Sequence, residues 1–439
     1  MSLVAHHHPN PGLIAWPFRP ARTGGMSRVA RLLTWASIAA MLSLSAMALI
    51  ALGIPYSSPG GVILSKIHPA TWIAVPAVVA AALARGGVTR FAASLAIETP
   101  GVVVFAIAVT LLFLHVALVQ RLPFSAIVDT LVLPIFLFAA IGALDSASRR
   151  PIATGLHAFI VVNALLGLVE YASGWRLTPM YDIDGSIIVD WRSTALLGHP
   201  LNNAFVTGLW LVLLASGAAS RWRPLARLAA MTLAAAALVA FGGRVAMVFA
   251  FALVAILAGL GGLKILAGKR FDLGVAAAAV AAGTLLLVAA ILLVDAGAAD
   301  RLIDRFGNDA GSAGPRIAMF GIFGDLDWAE FLLAPPPDLI QQAQRDHGIR
   351  IGIESTEVAF VAFYGLIVAV LVLGGLAAFL AELVRATSRR SLWAIGFLVV
   401  VMSASTGLAS KSTNLAVFAT MVLTMMPRAE IAGGGGAVR

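Results

Sequence analysis

Residues 238–251 read LVAFGGRVAMVFAF, and Arg244 is the one charge in the 36-residue apolar stretch Leu228–Leu263. At mid-bilayer such a charge would cost about 2.5–3.5 kcal/mol on insertion scales, so its position needs a reason. Two polar stretches carry more of the same residue. Residues 172–200 hold Arg176 and Arg192, residues 297–354 hold Arg301, Arg305, Arg316, Arg345 and Arg350, and neither stretch has a lysine. A guanidinium grips a phosphate bidentately with a planar fork of donors, where an ammonium is a point charge. Two readings fit: phosphate recognition, or an arginine-rich genome, since the chain has only four lysines.

Other reactive types are sparse. Asp182, Asp184 and Asp190 in YDIDGSIIVD have the composition of a weak calcium loop, but a solvated acidic loop or contacts to sugar hydroxyls is the favoured reading. His199-Pro200 is placed to cap a helix, and Asn202 and Asn203 can bond freed backbone or a sugar. His115, Asp129, His157 and Asn163 interrupt apolar runs, either as a proton path or as helix-to-helix hydrogen bonds. Glu98 and Glu170 fall near the ends of such runs. His6, His7 and His8 belong to a tail without apolar period. There is no cysteine, which excludes disulfide and thiol chemistry, and no Walker loop, zinc spacing or Rossmann fingerprint.

The elements that must position these residues are apolar. The chain is 60% hydrophobic and 12% charged, half the charge of an ordinary soluble domain, so an all-α polytopic membrane protein is expected. Twelve spans are expected near 30–52, 69–84, 97–119, 126–144, 152–171, 201–219, 225–241, 245–263, 274–296, 355–381, 391–409 and 412–427. Residues 1–29 and 428–439 are expected as flexible tails around one helical domain, 30–427. With the N-terminus inside, 19 of the 30 basic residues fall in cytoplasmic segments. The short outer turns hold one each, Lys66, Arg121, Arg244 and Lys411. This bias puts both termini in the cytoplasm and residues 172–200 and 297–354 outside. The surplus charge of +9 then reflects topology and not nucleic-acid binding.

Gly242-Gly243 breaks the long apolar stretch into two helices, which brings Arg244 to the outer surface. There it either snorkels or holds an anion. Beyond Pro335-Pro336-Pro337, the stretch DLIQQAQRDHGIRIGIE predicts a helix capped by Asp338, with Leu339, Ile340 and Ala343 on one face. Such a helix could lie on the membrane as a lid.

The segment Arg192-Ser-Thr-Ala-Leu-Leu-Gly-His-Pro-Leu-Asn-Asn resembles the "R…G…HPN" segment of bacterial O-antigen ligases and of O-antigen and exopolysaccharide polymerases. Phe241-Gly-Gly-Arg244 looks like that family's "SR" turn, and Arg316 in GPRIAMFG fits its early arginine in the large outer loop. STEVAFVAFYGLIVAV is similar to the helix that follows that loop. The resemblance covers the span layout and roughly residues 152–380.

This resemblance implies a GT-C-like lipid-linked glycosyltransferase in the bacterial inner membrane. Its partners would be the bilayer and an undecaprenyl-diphosphate-linked glycan, with chain-length regulators or export proteins as further possibilities. Arg192, Arg244 and Arg316 would hold the diphosphate, and His199, Asn202 and Asp190 would contact glycan. No cofactor and no metal is required if arginine supplies the positive charge. The family often has a histidine just before the helix after the large loop. Here that place reads Ile353-Glu354-Ser355-Thr356-Glu357, and the nearest histidine is His347. Glu357, Glu354 and His347 are therefore the candidates for the base that takes the acceptor proton. The departure favours an exopolysaccharide or O-antigen polymerase over a ligase that transfers glycan to lipid A-core. A secondary transporter is the reading from another class; against it, the two halves show no similarity.

Overall fold

The computed structural model describes residues 25–57, 61–181, 186–268, 313–349, 352–405 and 407–428, with isolated positions between 270 and 283. Among the described residues everything regular is helical except a two-stranded ribbon, Met180–Tyr181 with Ile187–Ile188. The expected span at 274–296 falls mostly outside the described residues.

Six helices are long and apolar enough to cross a membrane. They are α5 (Pro100–Gln120), α6 (Ser125–Ala143), α7 (Ser146–Ser173), α9 (Pro224–Phe241), α10 (Arg244–Leu266) and α14 (Thr356–Ala386). A seventh arises if α3 (Pro69–Ala84) and α4 (Val88–Glu98) are one span, but they bend by 94° at Arg85–Gly87. The stretch expected at 30–52 is two helices, α1 (Gly25–Ser43) and the short α2 (Ala46–Ala51). Ser45 divides them, extended in backbone and capping α2 through its hydroxyl. The stretch expected at 391–409 holds only α15 (Leu392–Ser403).

Two apolar runs expected as spans are short interior helices, α8 (Pro200–Ser216) and α16 (Asn414–Met425). Every residue from Asn203 to Leu214 and from Leu415 to Met425 is buried. A helix apolar on all sides and enclosed by other helices needs no lipid to cover it. Trp210, Phe205 and Phe418 fill the core they share with Phe397 and Phe379.

Local chemistry sets the boundaries. Pro69, Pro100, Pro200, Pro224 and Pro337 each stand in a first turn, where the missing N–H costs nothing. Asp145 caps α7 by accepting from Ser148 N at 2.7 Å.

The large loop folds into α11 (Ala313–Gly321), α12 (Trp328–Leu333) and α13 (Pro337–Asp346). The expected cap, Asp338, lies inside α13, because Pro337 with its preset φ starts the helix two residues earlier, with Pro336 in the cap position. Asp338 instead complements the positive end of the helix from its first turn. Of the three residues expected on one face, Ile340 and Ala343 are buried, packing with Met319, Ile322 and Ile353 against Val358 and Ala362 of α14, while Leu339 is partly exposed. The loop also enters a break in α14. Gly365 there has φ +78°, and a Cβ on it would lie 2.5 Å from Ala334 N and 2.7 Å from Leu332 O. Only glycine lets the end of α12 reach the helix axis so closely.

Candidate functional site

The outer segments of the expected topology meet at one end of the bundle. Ser45 lies against Gly198, Asn202 meets Asn414, and Thr356 donates to Met402 O at 2.8 Å. The loop 174–199 is built on a buried carboxylate. Glu170 Oε2 accepts from Thr194 N at 2.8 Å and Ala195 N at 2.9 Å, while Oε1 accepts from Leu177 N at 2.9 Å. Three backbone donors replace the water that a carboxylate loses on burial. Arg176 closes the other side, donating to the carbonyls of Glu170, Trp175, Asp190 and Trp191. Its four Nη donors are thus spent on the loop and the end of α7.

This scaffold presents Arg192. Its Nε and Nη2 donate to Asp190 Oδ2 at 2.8 and 2.5 Å, and its backbone N donates to Asp190 Oδ1 at 2.9 Å. The pair fixes the plane of the guanidinium. Nη1 has no hydrogen-bond partner among the described residues, so one edge of the fork is left for a ligand. The side chain lies across the Gly242 turn. A Cβ on Gly242 would meet Arg192 Cγ and Cδ at 3.0 Å and Trp191 at 2.9 Å. Gly243 is occupied as well, its missing Cβ lying 2.4 Å from Ala204 Cβ. The glycines therefore admit protein side chains and not an open approach to backbone. Arg244 begins α10 directly after this turn and is partly exposed. Arg316 belongs to α11, and its side chain lies outside the described residues, as do Asp182, Asp184, Arg301, Arg305 and Arg350.

His199 caps α8, its Nδ1 accepting from Leu201 N at 3.2 Å. Nδ1 as acceptor puts the ring proton on Nε2. Burial, with Arg192 nearby, pushes its pKa down to about 4, against a smaller opposing effect of Asp190. The imidazole is neutral at pH 7 and offers an N–H donor.

The three candidates for the base are not gathered. Glu357 stands in the first turn of α14, accepting from Ser355 Oγ at 2.9 Å and Ser403 Oγ at 2.5 Å. Glu354 is partly exposed three residues earlier. His347 is paired within the folded loop 313–349, its Nε2 at 2.8 Å from Asp325 Oδ2 and its ring against Gly321.

A buried polar cluster at the same end carries residues that sequence reasoning did not join. Asp129 is fully buried, and its carboxylate accepts from Tyr56 Oη at 2.9 Å, His68 N at 3.0 Å and Thr71 Oγ1 at 2.8 Å. Lys411 Nζ lies 3.9 Å from Asp129 Oδ2 and 3.5 Å from the Tyr56 ring centroid. It donates to Tyr56 O at 2.8 Å and to Lys66 O. Burial pushes the Lys411 ammonium down to about 8; Asp129 opposes the shift and Lys66 adds to it. The available signal was the scarcity of lysine, two of the four being Lys66 and Lys411. His157 and Asn163 pair between helices, with Trp210 at 2.9 Å and Asn203 at 2.8 Å.

Beside this cluster is a cavity of about 50 Å³ bordered by Asn202, Asn414, Lys411 and Ser45. Among the described residues no three His, Asp or Glu are grouped as for a metal ion. Neither the protein-family models nor the curated proteins compared with the chain give a match.

Proposed function

We propose that the chain is a lipid-linked polysaccharide polymerase. It crosses the bacterial inner membrane several times and joins undecaprenyl-diphosphate-linked repeat units at the outer face. The observation that supports this reading most is the seating of Arg192 on the Gly242 turn, next to Arg244, with Nη1 left over. A diphosphate needs oriented donors at the membrane surface, and a fixed guanidinium stabilises the charge that builds as it leaves. Asp190 removes part of that positive charge, but it also holds the fork at one angle, which a flexible arginine would lose in entropy.

In the proposed step an acceptor hydroxyl oxygen attacks the anomeric carbon of the donor sugar. The bond from that carbon to the phosphate oxygen breaks, and the lipid diphosphate leaves with the electron pair. The hydroxyl proton passes to a carboxylate, for which Glu357 is the choice. Ser355 and Ser403 already donate to it, so it is oriented before substrate arrives. The lid packed on α14 would keep water out.

The test is genetic and chemical together. Deleting the gene should abolish one long-chain envelope polymer and leave single lipid-linked repeats. Long chains that persist, or full-length polymer accumulating on the lipid carrier, would remove this reading. The second result is the signature of a missing ligase.

A further inference from the structure

We propose that the cavity between Asn202, Asn414 and Lys411 is a subsite for the hydroxyl-bearing edge of a neutral sugar, an inference that rests on the glycan reading above. The wall chemistry selects the ligand class. Asn414 Nδ2 donates to Asn202 Oδ1 at 3.1 Å. That leaves Asn202 Nδ2 and Asn414 Oδ1 without partners among the described residues, one donor beside one acceptor. Exchanging O and N in both amides leaves the same set, one donor beside one acceptor. Two neighbouring sugar hydroxyls, each able to donate and accept, satisfy such a pair.

Other ligand classes fit less well. An anion would need the Lys411 ammonium, which is committed to two carbonyls and the Tyr56 ring. A cation would need Asp129, whose oxygens are taken by Tyr56, His68 and Thr71. The floor is apolar, formed by Met41, Leu44, Val206 and Val417, which suits the C–H face of a pyranose. A water needs about 10–15 Å³ of such space. About 50 Å³ therefore takes three or four waters, or two hydroxyls with their carbons, with the rest of the ring outside.

Position links the cavity to the proposed chemistry. Leu197 lines it and Gly198 packs on its Ser45 wall, so it shares the loop 192–199 with the arginine site. Asn202 is three residues beyond His199, one turn into α8. Lys411 acts here as a positioning residue that holds the turn before Asn414 against the Tyr56–Lys66 segment.

The probe is a panel of methyl glycosides of neutral hexoses and N-acetylhexosamines, measured by saturation-transfer NMR on the full chain in nanodiscs. At least one should bind in the millimolar range. Asn414→Leu, which fills the cavity, and Asn202→Ala, which removes the free donor, should each weaken it tenfold or more. Arg345→Ala on the exposed face of α13 should leave it unchanged. If Asn414→Leu does not fold, Asn202→Ala decides alone. No binding by any glycoside means water only, and overturns the subsite; so does wild-type binding in the variants. Glycoside binding lost in the variants while gene deletion leaves every envelope polymer intact would keep the subsite and remove the polymerase reading.

Discussion

Arg192 and Gly242 touch: the missing Cβ of the glycine would stand 3.0 Å from Cγ and Cδ of the arginine, so the turn is the bed on which the guanidinium lies. Gly242 also has φ +60°, a conformation that costs an L-residue about 1–2 kcal/mol. Gly242→Asn relieves much of that backbone strain but keeps the collision. It should reach the membrane in near-normal amount yet lose long-chain polymer, whereas Gly242→Ala should lose amount as well. Quantitative immunoblots beside polymer gels separate the two. Normal polymer from Gly242→Asn would break the link between this turn and activity.

Lysine at 192 or 244 keeps the charge and loses the fork. A charge-assisted hydrogen bond is worth about 1.5–3 kcal/mol, so loss in the transition state slows extension about 10- to 100-fold. The measurement is rate of chain growth in membranes at matched protein level. A silent Arg244→Lys would mean that this residue only snorkels.

Glu357→Gln keeps the size and shape of the side chain in the first turn of α14 and one serine contact as acceptor, the other serine turning to accept from the amide, but it cannot take a proton. We expect lost turnover with unchanged thermal stability. Glu354→Gln and His347→Ala should be milder, because His347 is engaged with Asp325 inside the loop 313–349. Full polymer length from all three would eliminate this set as the base.

His199 titrates near pH 4 in the folded chain and near 6.5 when unfolded. Between those values the unfolded state binds more protons, so stability falls as pH drops from about 6.5 to about 4. The melting temperature of the native chain should therefore fall toward that of His199→Gln across this window, and the gap should be constant above pH 7. A gap that widens on acidification would contradict a neutral His199.

Because the chain has no cysteine, Phe320→Cys gives a single labelling site on α11, and Phe320 is 59% exposed. Membrane-impermeant maleimide should reach it from the outer face of intact spheroplasts. Labelling only after the membrane is opened would invert the topology and remove the proposed mechanism.

Composition made the helical class legible in the sequence, and the apolar runs placed many helix starts within a few residues. The GG turn was legible because two glycines split a stretch too long for one crossing. The interior position of α8 and α16 was not, since an apolar run looks the same whether lipid or protein surrounds it. Arg176 and Arg192 carry the same charge in the same loop, yet one binds carbonyls and the other keeps a free edge. DWRST carries its own partner for the arginine, Asp190, and WRLTP has no acid; that Arg176 turns to carbonyls follows from the fold of the loop on Glu170 and has no local signal. The Asp129 cluster joins residues 56, 68, 71, 129 and 411, separations over which no periodicity extends.

The enclosed position of α16 sets an order on biogenesis. Its neighbours α6, α7, α8 and α14 all leave the ribosome before it does. Until residues 414–425 arrive, the core that they share with Phe205 and Phe138 is incomplete, and Asn202 waits for Asn414. The earlier helices can insert, but the bundle cannot close around its axis. Earlier helices therefore hold an open core until residues 414–425 are in place.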